Sequence, residues 1–132
     1  MKLYNNNHSV FALYYHLIIT TKYRKKVIND DICLFLKNKF VDIGGKYMIE
    51  LEEFNHDQDH VHILFRTHPN TDISKFINAY KSASSRLVKK YYPEVMKQLG
   101  KEMFWTRSYC LLSSGGVTTE IVRKYIEKQG SK

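Results

Sequence analysis

Cysteine is scarce in this chain, and long apolar runs are missing. The 132 residues include two cysteines, Cys33 and Cys110, which lack the spacing of metal-binding thiolates, so we expect free thiols rather than a disulfide. No segment reaches the roughly 20 consecutive apolar residues that span a bilayer. The polar segment 1–9 lacks the apolar region of a secretory signal. These absences predict a cytoplasmic protein with no membrane partner.

Acidic residues are outnumbered by basic ones. The chain has 13 Asp and Glu against 21 Lys and Arg, a formal net charge of +8, which favours an anionic partner such as nucleic acid. Several of its ten tyrosines stand beside basic residues, a combination that suits single-stranded nucleic acid because bases stack on aromatic rings and phosphates pair with cations. Composition alone is equally consistent with a basic soluble protein that has no such partner.

Hydrophobic periodicity predicts the element order βαββαβ followed by a C-terminal helix. The predicted strands cover residues 10–21, 47–52, 59–65 and 103–112, and the predicted helices begin after Asn29, Thr71 or Asp72, and Thr118 or Thr119. Gly44-Gly45 is expected to end the first helix, and Pro93 to lie just past the second. Without repeats or linkers, residues 1–132 form one domain. The order fits an α+β, ferredoxin-like sandwich with the first and third strands at the centre of the sheet.

The motif His60-Val61-His62 lies in the third predicted strand. Because side chains alternate along a strand, both histidines face one side, with Cα atoms roughly 6–7 Å apart, and Val61 faces the core. Two imidazoles at that spacing can bind one metal ion, and Asp59 could orient one of them as a neighbouring carboxylate. Such pairs are often structural instead. His16 stands alone in the first strand and is expected to be a core or pairing residue.

Two residues of the last predicted helix could complete a catalytic site. Tyr125 and Gln129 lie one turn apart and share a face. The amide oxygen of Gln129 is a candidate third ligand, of the hard type that suits Mg²⁺ or Mn²⁺ rather than structural zinc. Tyr125 would then be a nucleophile for phosphoryl transfer. From periodicity alone, a tyrosine at such a position is more often a core residue with a solvated hydroxyl.

Some further residues have two interpretations each. The basic residues around Tyr125 either hold phosphates or form a solvated helix face; they are Arg123, Lys124 and Lys128. Trp105 and Tyr109 share a face of the fourth predicted strand, where we expect core positions rather than a stacking surface.

Four segments make the chain resemble the single-tyrosine HUH transposases of small bacterial insertion sequences, the TnpA-type enzymes. They occur in the expected order over almost the full length, and they are Tyr15–Val27, Asp59–Leu64, Phe104–Tyr109 and Glu120–Gln129. The resemblance implies that His60, His62 and Gln129 hold a divalent metal ion, Mg²⁺ or Mn²⁺. It also implies that Tyr125 attacks single-stranded DNA at a transposon end, forming a 5′-phosphotyrosine and releasing a 3′-OH that later reseals the strand.

The resemblance also implies partners. Members of this family work as homodimers with composite active sites, in which the histidines of one subunit face the tyrosine helix of the other, and they recognise DNA hairpins near the element ends. The hairpin-reading residues cannot be transferred by motif; the candidates are Lys22, Arg24, Lys25 and Arg86.

Two other functions remain open at this point. One is a domesticated relative that processes chromosomal repeat hairpins by the same chemistry. The other is a non-catalytic, RRM-like nucleic-acid-binding module, which predicts exposed aromatic residues on the two central strands. The third strand instead offers His60, His62 and Leu64 on one face, a poor platform for base stacking.

Overall fold

A four-stranded antiparallel sheet organises the fold. A computed structural model of the chain describes residues 4–5, 10–11, 13–114 and 119–129. The strands are β1 (Tyr4–Asn5), β2 (Val10–Phe11), β3 (Leu13–Thr20), β4 (Ile49–His56), β5 (His60–Thr67) and β6 (Cys110–Ser113). The helices are α1 (Asp30–Gly44), α2 (Ile73–Tyr91), α3 (Pro93–Leu99) and α4 (Thr119–Gln129), and short 3₁₀ turns cover Lys22–Arg24 and Gly45–Tyr47. None of the described helices is both long and apolar enough to cross a membrane.

The strand order in this sheet is β4-β5-β3-β6, with every neighbouring pair antiparallel. The first and third long strands are therefore central, as predicted, and the α+β class with a ferredoxin-like order is confirmed. The pairing of β3 with β5 runs from Leu13 opposite Thr67 to Thr20 opposite His60. A separate two-stranded sheet pairs β1 with β2.

The hydrophobic core occupies one face of this sheet. Alternate residues of β5, among them Val61, Ile63 and Phe65, are fully buried there. They pack against apolar side chains of α1 and α2, whose aromatic rings interlock: Phe40 lies 5.1 Å from Phe76 between ring centroids, edge to face. The core therefore uses one set of β5 side chains and leaves the opposite face of the sheet for the histidines.

Both ends of α1 lie where the sequence predicts, at Asn29 and at Gly44-Gly45. Asn29 caps the helix, and its side-chain oxygen accepts a hydrogen bond from the Ile32 amide at 2.9 Å. Gly44 keeps a right-handed helical backbone, and the left-handed residue that turns the chain is Met48, with φ 58°. A side chain at Gly44 would bring a Cβ to 3.3 Å from the carbonyl oxygen of Ile49. The helix thus ends at Gly44 as predicted, but the glycine is needed for close packing against β4 and not for a left-handed backbone.

Two further elements differ from the predictions. Pro93 was expected only to stop α2, but it also begins α3, because a proline at the first helical position needs no hydrogen-bond acceptor for its nitrogen. Strand β4 runs on to His56 because a β-bulge between Leu51 and Glu53 shifts the alternation. The bulge restores Phe54 to the core side, opposite Ile63.

The fourth predicted strand is mostly irregular. Of residues 103–112, only the last part belongs to β6, and Trp105 forms an isolated bridge to Thr21. Trp105 is nevertheless buried, as expected, and its indole nitrogen donates a hydrogen bond to the hydroxyl of Ser84 at 2.9 Å. Tyr109 is partly buried against the core. Residues 106–108 leave the sheet because their carbonyl groups turn towards a buried lysine, which we describe below.

Candidate active site

The face of the sheet opposite the core carries the histidines. Directly paired residues of antiparallel strands lie on the same face, and the register places His60 opposite Thr20, and His62 opposite Ile18. Residue His16 is two positions before Ile18 on β3 and so belongs to the same face. His60 and His62 therefore share one surface, together with a third histidine that the sequence did not connect to them.

His60 is oriented by a carboxylate. Its Nδ1 donates a hydrogen bond to Asp59 Oδ1 at 2.8 Å, while Asp59 Oδ2 forms an ion pair with Arg24 Nε at 3.1 Å. Burial acts to raise the pKa of Asp59, but the hydrogen bonds from His60 and Arg24 outweigh it and hold that pKa below its ordinary value. An ionised Asp59 keeps the proton on Nδ1, so the Nε2 of His60 carries a free lone pair that can bind a metal ion.

The turn that delivers Arg24 has an unusual backbone. Tyr23 and Arg24 both adopt left-handed conformations, with φ 57° and 52°, which cost a non-glycine residue roughly 1–2 kcal/mol. The ion pair with Asp59 compensates part of this cost and ties the basic segment 22–26 to the histidine strand. Of the candidate DNA contacts, Arg24 is thus already engaged by a protein carboxylate.

His62 is hydrogen-bonded to His16. The Nε2 of His62 lies 2.8 Å from the Nδ1 of His16, and the two nitrogens share one proton. Burial first, and then the charges of His16 and His60, lower the pKa of His62. His62 is therefore neutral near pH 7, which is the form of imidazole that binds metals. His16 was expected to be a core or pairing residue; pairing is what the structure shows, and its partner could not be found without the strand register.

The residues present fit a small polar ligand beside His60. Within the part of the chain that the structure describes, Thr20 Oγ1 is the buried side-chain polar atom that has no hydrogen-bond partner, and Thr20 is the cross-strand neighbour of His60. Such an atom calls for a water, an ion or a bound group. No group of three His, Cys, Asp or Glu side chains among the described residues is placed to hold a metal.

Helix α4 contacts β3 and the Lys22–Arg24 turn. The Tyr125 hydroxyl lies 2.8 Å from Ser108 Oγ, and Ser108 Oγ donates to the Gln129 amide oxygen at 3.0 Å. Because the single Ser108 proton is used on Gln129, the Tyr125 hydroxyl is the donor to Ser108. Gln129 is 3% exposed, and its amide nitrogen donates to the Tyr125 carbonyl at 3.3 Å. Ser108 thus links the two residues that the helical spacing had paired.

The Tyr125 phenol is protonated at neutral pH. Burial raises its pKa, an effect that hydrogen bonds with Ser108 and Thr106 reduce but do not cancel, and nearby Cys110 raises it further. Cys110 is paired with Ile18 and so lies on the histidine face. Cys33 and Cys110 are both free thiols, as expected.

One buried cation that contacts the Ser108 segment was missed by the sequence analysis. Lys81 is buried in α2, and its Nζ donates hydrogen bonds to three consecutive carbonyl oxygens, those of Thr106, Arg107 and Ser108, at 2.7, 2.8 and 3.1 Å. Burial lowers the pKa of Lys81 to about 8. The sequence did contain a sign of this contact, because Lys81 follows Ile77 by four residues and so lies on the apolar side of the helix, where lysine is unusual.

The remaining candidate DNA contacts occupy two different surfaces. Lys22 lines a cavity of about 210 Å³ together with Ser108 and Gln129, and Lys25 is exposed in the same basic segment. Arg86 lies elsewhere, in a cleft of about 440 Å³ beside α2 and α3. That cleft contains three more cations, Lys89, Lys90 and Lys101. The structure therefore brings Lys22, Arg24 and Lys25 to the site and separates Arg86 from it.

Comparison with known proteins supports one family. Residues 9–129 match the family described as "Transposase IS200 like". The ISDra2 transposase TnpA of Deinococcus radiodurans is 35% identical over 123 residues, which is 93% of this chain and 88% of that protein.

Solved structures agree with this assignment. A crystal structure from Deinococcus radiodurans R1, described as a transposase, superimposes with a TM-score of 0.82 at 32% identity, covering 98% of both chains. The REP-associated tyrosine transposase bound to a REP hairpin shares the fold, with a TM-score of 0.57 at 11% identity, over 96% of this chain and 69% of that one. A transposase is a DNA-recombining enzyme, and the resemblance found in the sequence is confirmed. The chain belongs to the IS200-like transposase family.

Proposed function

We propose that this transposase cleaves and rejoins single-stranded DNA at insertion-sequence ends through a covalent 5′-phosphotyrosine on Tyr125. The observation that carries the proposal is the link between Tyr125, Ser108 and Gln129 on a helix that contacts β3, the strand that pairs with the histidine strand β5. A phenol linked to an amide oxygen, together with two imidazoles on one strand face, supplies the groups that metal-assisted phosphoryl transfer requires.

His60, His62 and Gln129 would hold a divalent ion, Mg²⁺ or Mn²⁺. For this, His62 must exchange its hydrogen bond with His16, and Gln129 must exchange its hydrogen bond with Ser108, for the ion. His60 needs no exchange at its Nε2, because Asp59 engages the other ring nitrogen. When bound, the ion would polarise the scissile phosphate and neutralise the charge that develops on it.

The protein residues account for the bond changes. The Tyr125 oxygen attacks phosphorus and forms a phosphotyrosine ester with the 5′ end of the downstream strand, while the bond from phosphorus to the upstream 3′ oxygen breaks and that oxygen gains a proton. The phenol proton leaves along the hydrogen bond to Ser108 and passes to solvent. A 3′-OH later attacks the same phosphorus and regenerates the phenol. Each step exchanges one ester for another, so no nucleotide hydrolysis is required.

We further propose that the DNA partner is a hairpin near the element end. The chain has a net charge of +8, the half-buried Lys22 lines the cavity with Ser108 and Gln129, and the exposed Lys25 lies three residues further along the same basic segment. A fold relative was solved with a REP hairpin bound. The 35% identical relative is an insertion-sequence transposase, which favours element ends over chromosomal repeats as the substrate. The open face of β5 carries His60, His62, Leu64 and Arg66, a set without Phe, Tyr or Trp, which disfavours an RRM-like module.

The experiment is a covalent-adduct assay. The protein is incubated with labelled single-stranded DNA from the flanks of its own gene and with Mg²⁺ or Mn²⁺, and the products are separated on a denaturing gel. We expect a protein–DNA band that disappears in Tyr125→Phe and His60→Ala. Tyr91→Phe, at an exposed tyrosine of α2, is the matched control and should react normally. A band that persists in Tyr125→Phe, or a salt-sensitive mobility shift with no covalent product, would contradict the proposal.

The homodimer with composite sites is a separate proposal. In the described chain, α4 contacts β3 of its own chain. If the tyrosine helix instead serves a second subunit, mixtures of Tyr125→Phe and His60→Ala should regain adduct formation, because each heterodimer contains one intact combination. Absence of rescue in a mixture shown to exchange subunits would place each site within one chain.

A further inference from the structure

Lys81 is a buried cation whose hydrogen-bonding capacity is used entirely by main-chain carbonyls. It is 8% exposed, and its three ammonium donors go to the carbonyl oxygens of Thr106, Arg107 and Ser108. The side chain also lies 5.9 Å from the ring centroid of Tyr109. The ammonium group therefore holds one continuous stretch of backbone and nothing in the core.

A buried lysine that only filled space would destabilise the fold. Burying an ammonium group costs free energy that an apolar side chain of the same length would not. Three consecutive carbonyls that converge on one atom also cannot take part in a strand ladder, in which successive carbonyls point in opposite directions. The segment 106–108 accordingly interrupts the fourth predicted strand. The hydrogen bonds from Lys81 thus hold this segment out of the sheet.

The curled segment presents Ser108 to the site. Its backbone is held by Lys81, and its hydroxyl contacts both the Tyr125 hydroxyl at 2.8 Å and the Gln129 amide oxygen at 3.0 Å. Thr106, at the other end of the segment, also hydrogen-bonds with Tyr125. A continuous set of polar contacts therefore joins a lysine in α2 to the tyrosine in α4.

We propose that Lys81 is a positioning residue for DNA cleavage: through the backbone of residues 106–108 it sets Ser108, and Ser108 sets the reactive oxygen of Tyr125 and the amide of Gln129. This inference rests on the proposed function of Tyr125. It predicts that loss of Lys81 slows the covalent step while leaving DNA binding intact, because Lys81 contacts neither the basic segment 22–26 nor the cations of the second cleft.

The test compares single-turnover adduct formation in four proteins: Lys81→Met, Ser108→Ala, the double variant and Lys75→Met. Lys75 is exposed on the same helix, so its variant is the matched control and should react at the wild-type rate. We expect Lys81→Met to slow the adduct step by about 10- to 100-fold, the range for a displacement of about 1 Å at a reacting group. DNA affinity, measured on the same proteins, should stay within about twofold, since Lys81 is buried and its three donors are taken by main-chain carbonyls.

Non-additivity separates positioning from general damage. If Lys81 acts through Ser108, the double variant should be about as slow as the slower single variant, whereas independent effects would multiply. Multiplied defects, or a wild-type rate in Lys81→Met, overturn the inference. If Lys81→Met does not fold, the same assay is made with Lys81→Gln, which buries no charge and retains two hydrogen-bond donors. A wild-type adduct rate in Lys81→Gln overturns the inference, and a slowed rate supports it.

A structural readout distinguishes this inference from the proposed function. The chain has a single tryptophan, Trp105, next to the segment that Lys81 holds. We expect its fluorescence emission to shift in Lys81→Met and to stay unchanged in Lys75→Met. If the wild-type protein forms no adduct with any DNA, the proposed function fails. If the wild type reacts and Lys81→Met reacts equally fast, only the role of Lys81 is lost.

Discussion

Replacement of Asp59 by asparagine tests how the histidine face prepares a metal ligand. Asp59 accepts from His60 Nδ1 through one oxygen at 2.8 Å and pairs with Arg24 through the other at 3.1 Å. Asparagine is nearly isosteric but offers one acceptor and one donor, so one of these two donors must then face an N–H group. The Nδ1 proton of His60 loses its charged acceptor, and the ring loses its preferred tautomer and orientation.

The magnitude follows from the role of such a carboxylate. Removing the hydrogen-bond partner of a metal-binding histidine typically lowers metal affinity or activity by about 10- to 100-fold, which corresponds to about 1.4 to 2.7 kcal/mol. We expect Asp59→Asn to weaken Mn²⁺ binding by this factor in calorimetric titrations. The adduct rate should recover at saturating Mn²⁺, because the defect lies in holding the ion and not in Tyr125.

The matched control is Asp57→Asn. Asp57 lies in the same turn, but its carboxylate is exposed and accepts from the Gln58 amide instead of a histidine, so the variant should bind Mn²⁺ like the wild type. Equal Mn²⁺ affinities for wild type and Asp59→Asn would refute the reasoning. A rate defect in Asp59→Asn that no concentration of Mn²⁺ relieves would also refute it, since the carboxylate would then act on another step.

Three further predictions concern the scaffold. Phe40→Ala should lower the free energy of unfolding by about 3–5 kcal/mol, because Phe40 is fully buried among aromatic rings, whereas Leu34→Ala, at an exposed position of α1, should change it by less than about 0.5 kcal/mol; urea denaturation measures both. Asn29→Ala should cost about 1 kcal/mol by the same method through loss of the α1 cap. Burial lowers the pKa of Lys81 from 10.5 to about 8, so between these pH values the unfolded chain holds a proton that the folded chain has released, and stability rises with pH. The stability of the wild type relative to Lys81→Met should therefore grow by about 1–3 kcal/mol over that range, and a flat difference would contradict the buried ammonium.

Much of the fold was predictable because its signals are local. The alternation in β5 requires only that neighbouring side chains point in opposite directions, so the common face of His60 and His62 follows from the chain itself. The caps at Asn29 and Asp72 are likewise contacts within three residues, with Asp72 accepting from the Lys75 amide at 3.0 Å. Family membership also comes from short linear motifs, which survive without any knowledge of packing.

The errors occurred where a distant contact overruled a local pattern. Residues 103–112 have strand composition, but Lys81, at least 25 positions earlier, draws three of their carbonyls out of the ladder. Gly44 ends α1 as predicted, but the left-handed turn falls at Met48, and close packing against Ile49 explains the glycine. Pro93 predicts the end of α2 whether or not another helix follows, and only the packing of the next segment determines that α3 begins at this proline.

The same distinction between local pattern and distant contact applies to the candidate site. The chain alone predicted which residues carry chemistry: two imidazoles on one strand face, and a tyrosine and a glutamine one helical turn apart. Only the tertiary structure decided what holds them, because the partners come from far away in the sequence. His16 reaches His62 across 46 positions, Arg24 reaches Asp59 across 35, and Ser108 reaches Gln129 across 21. Periodicity reports which way a side chain points, whereas strand register and loop curvature determine which group it meets.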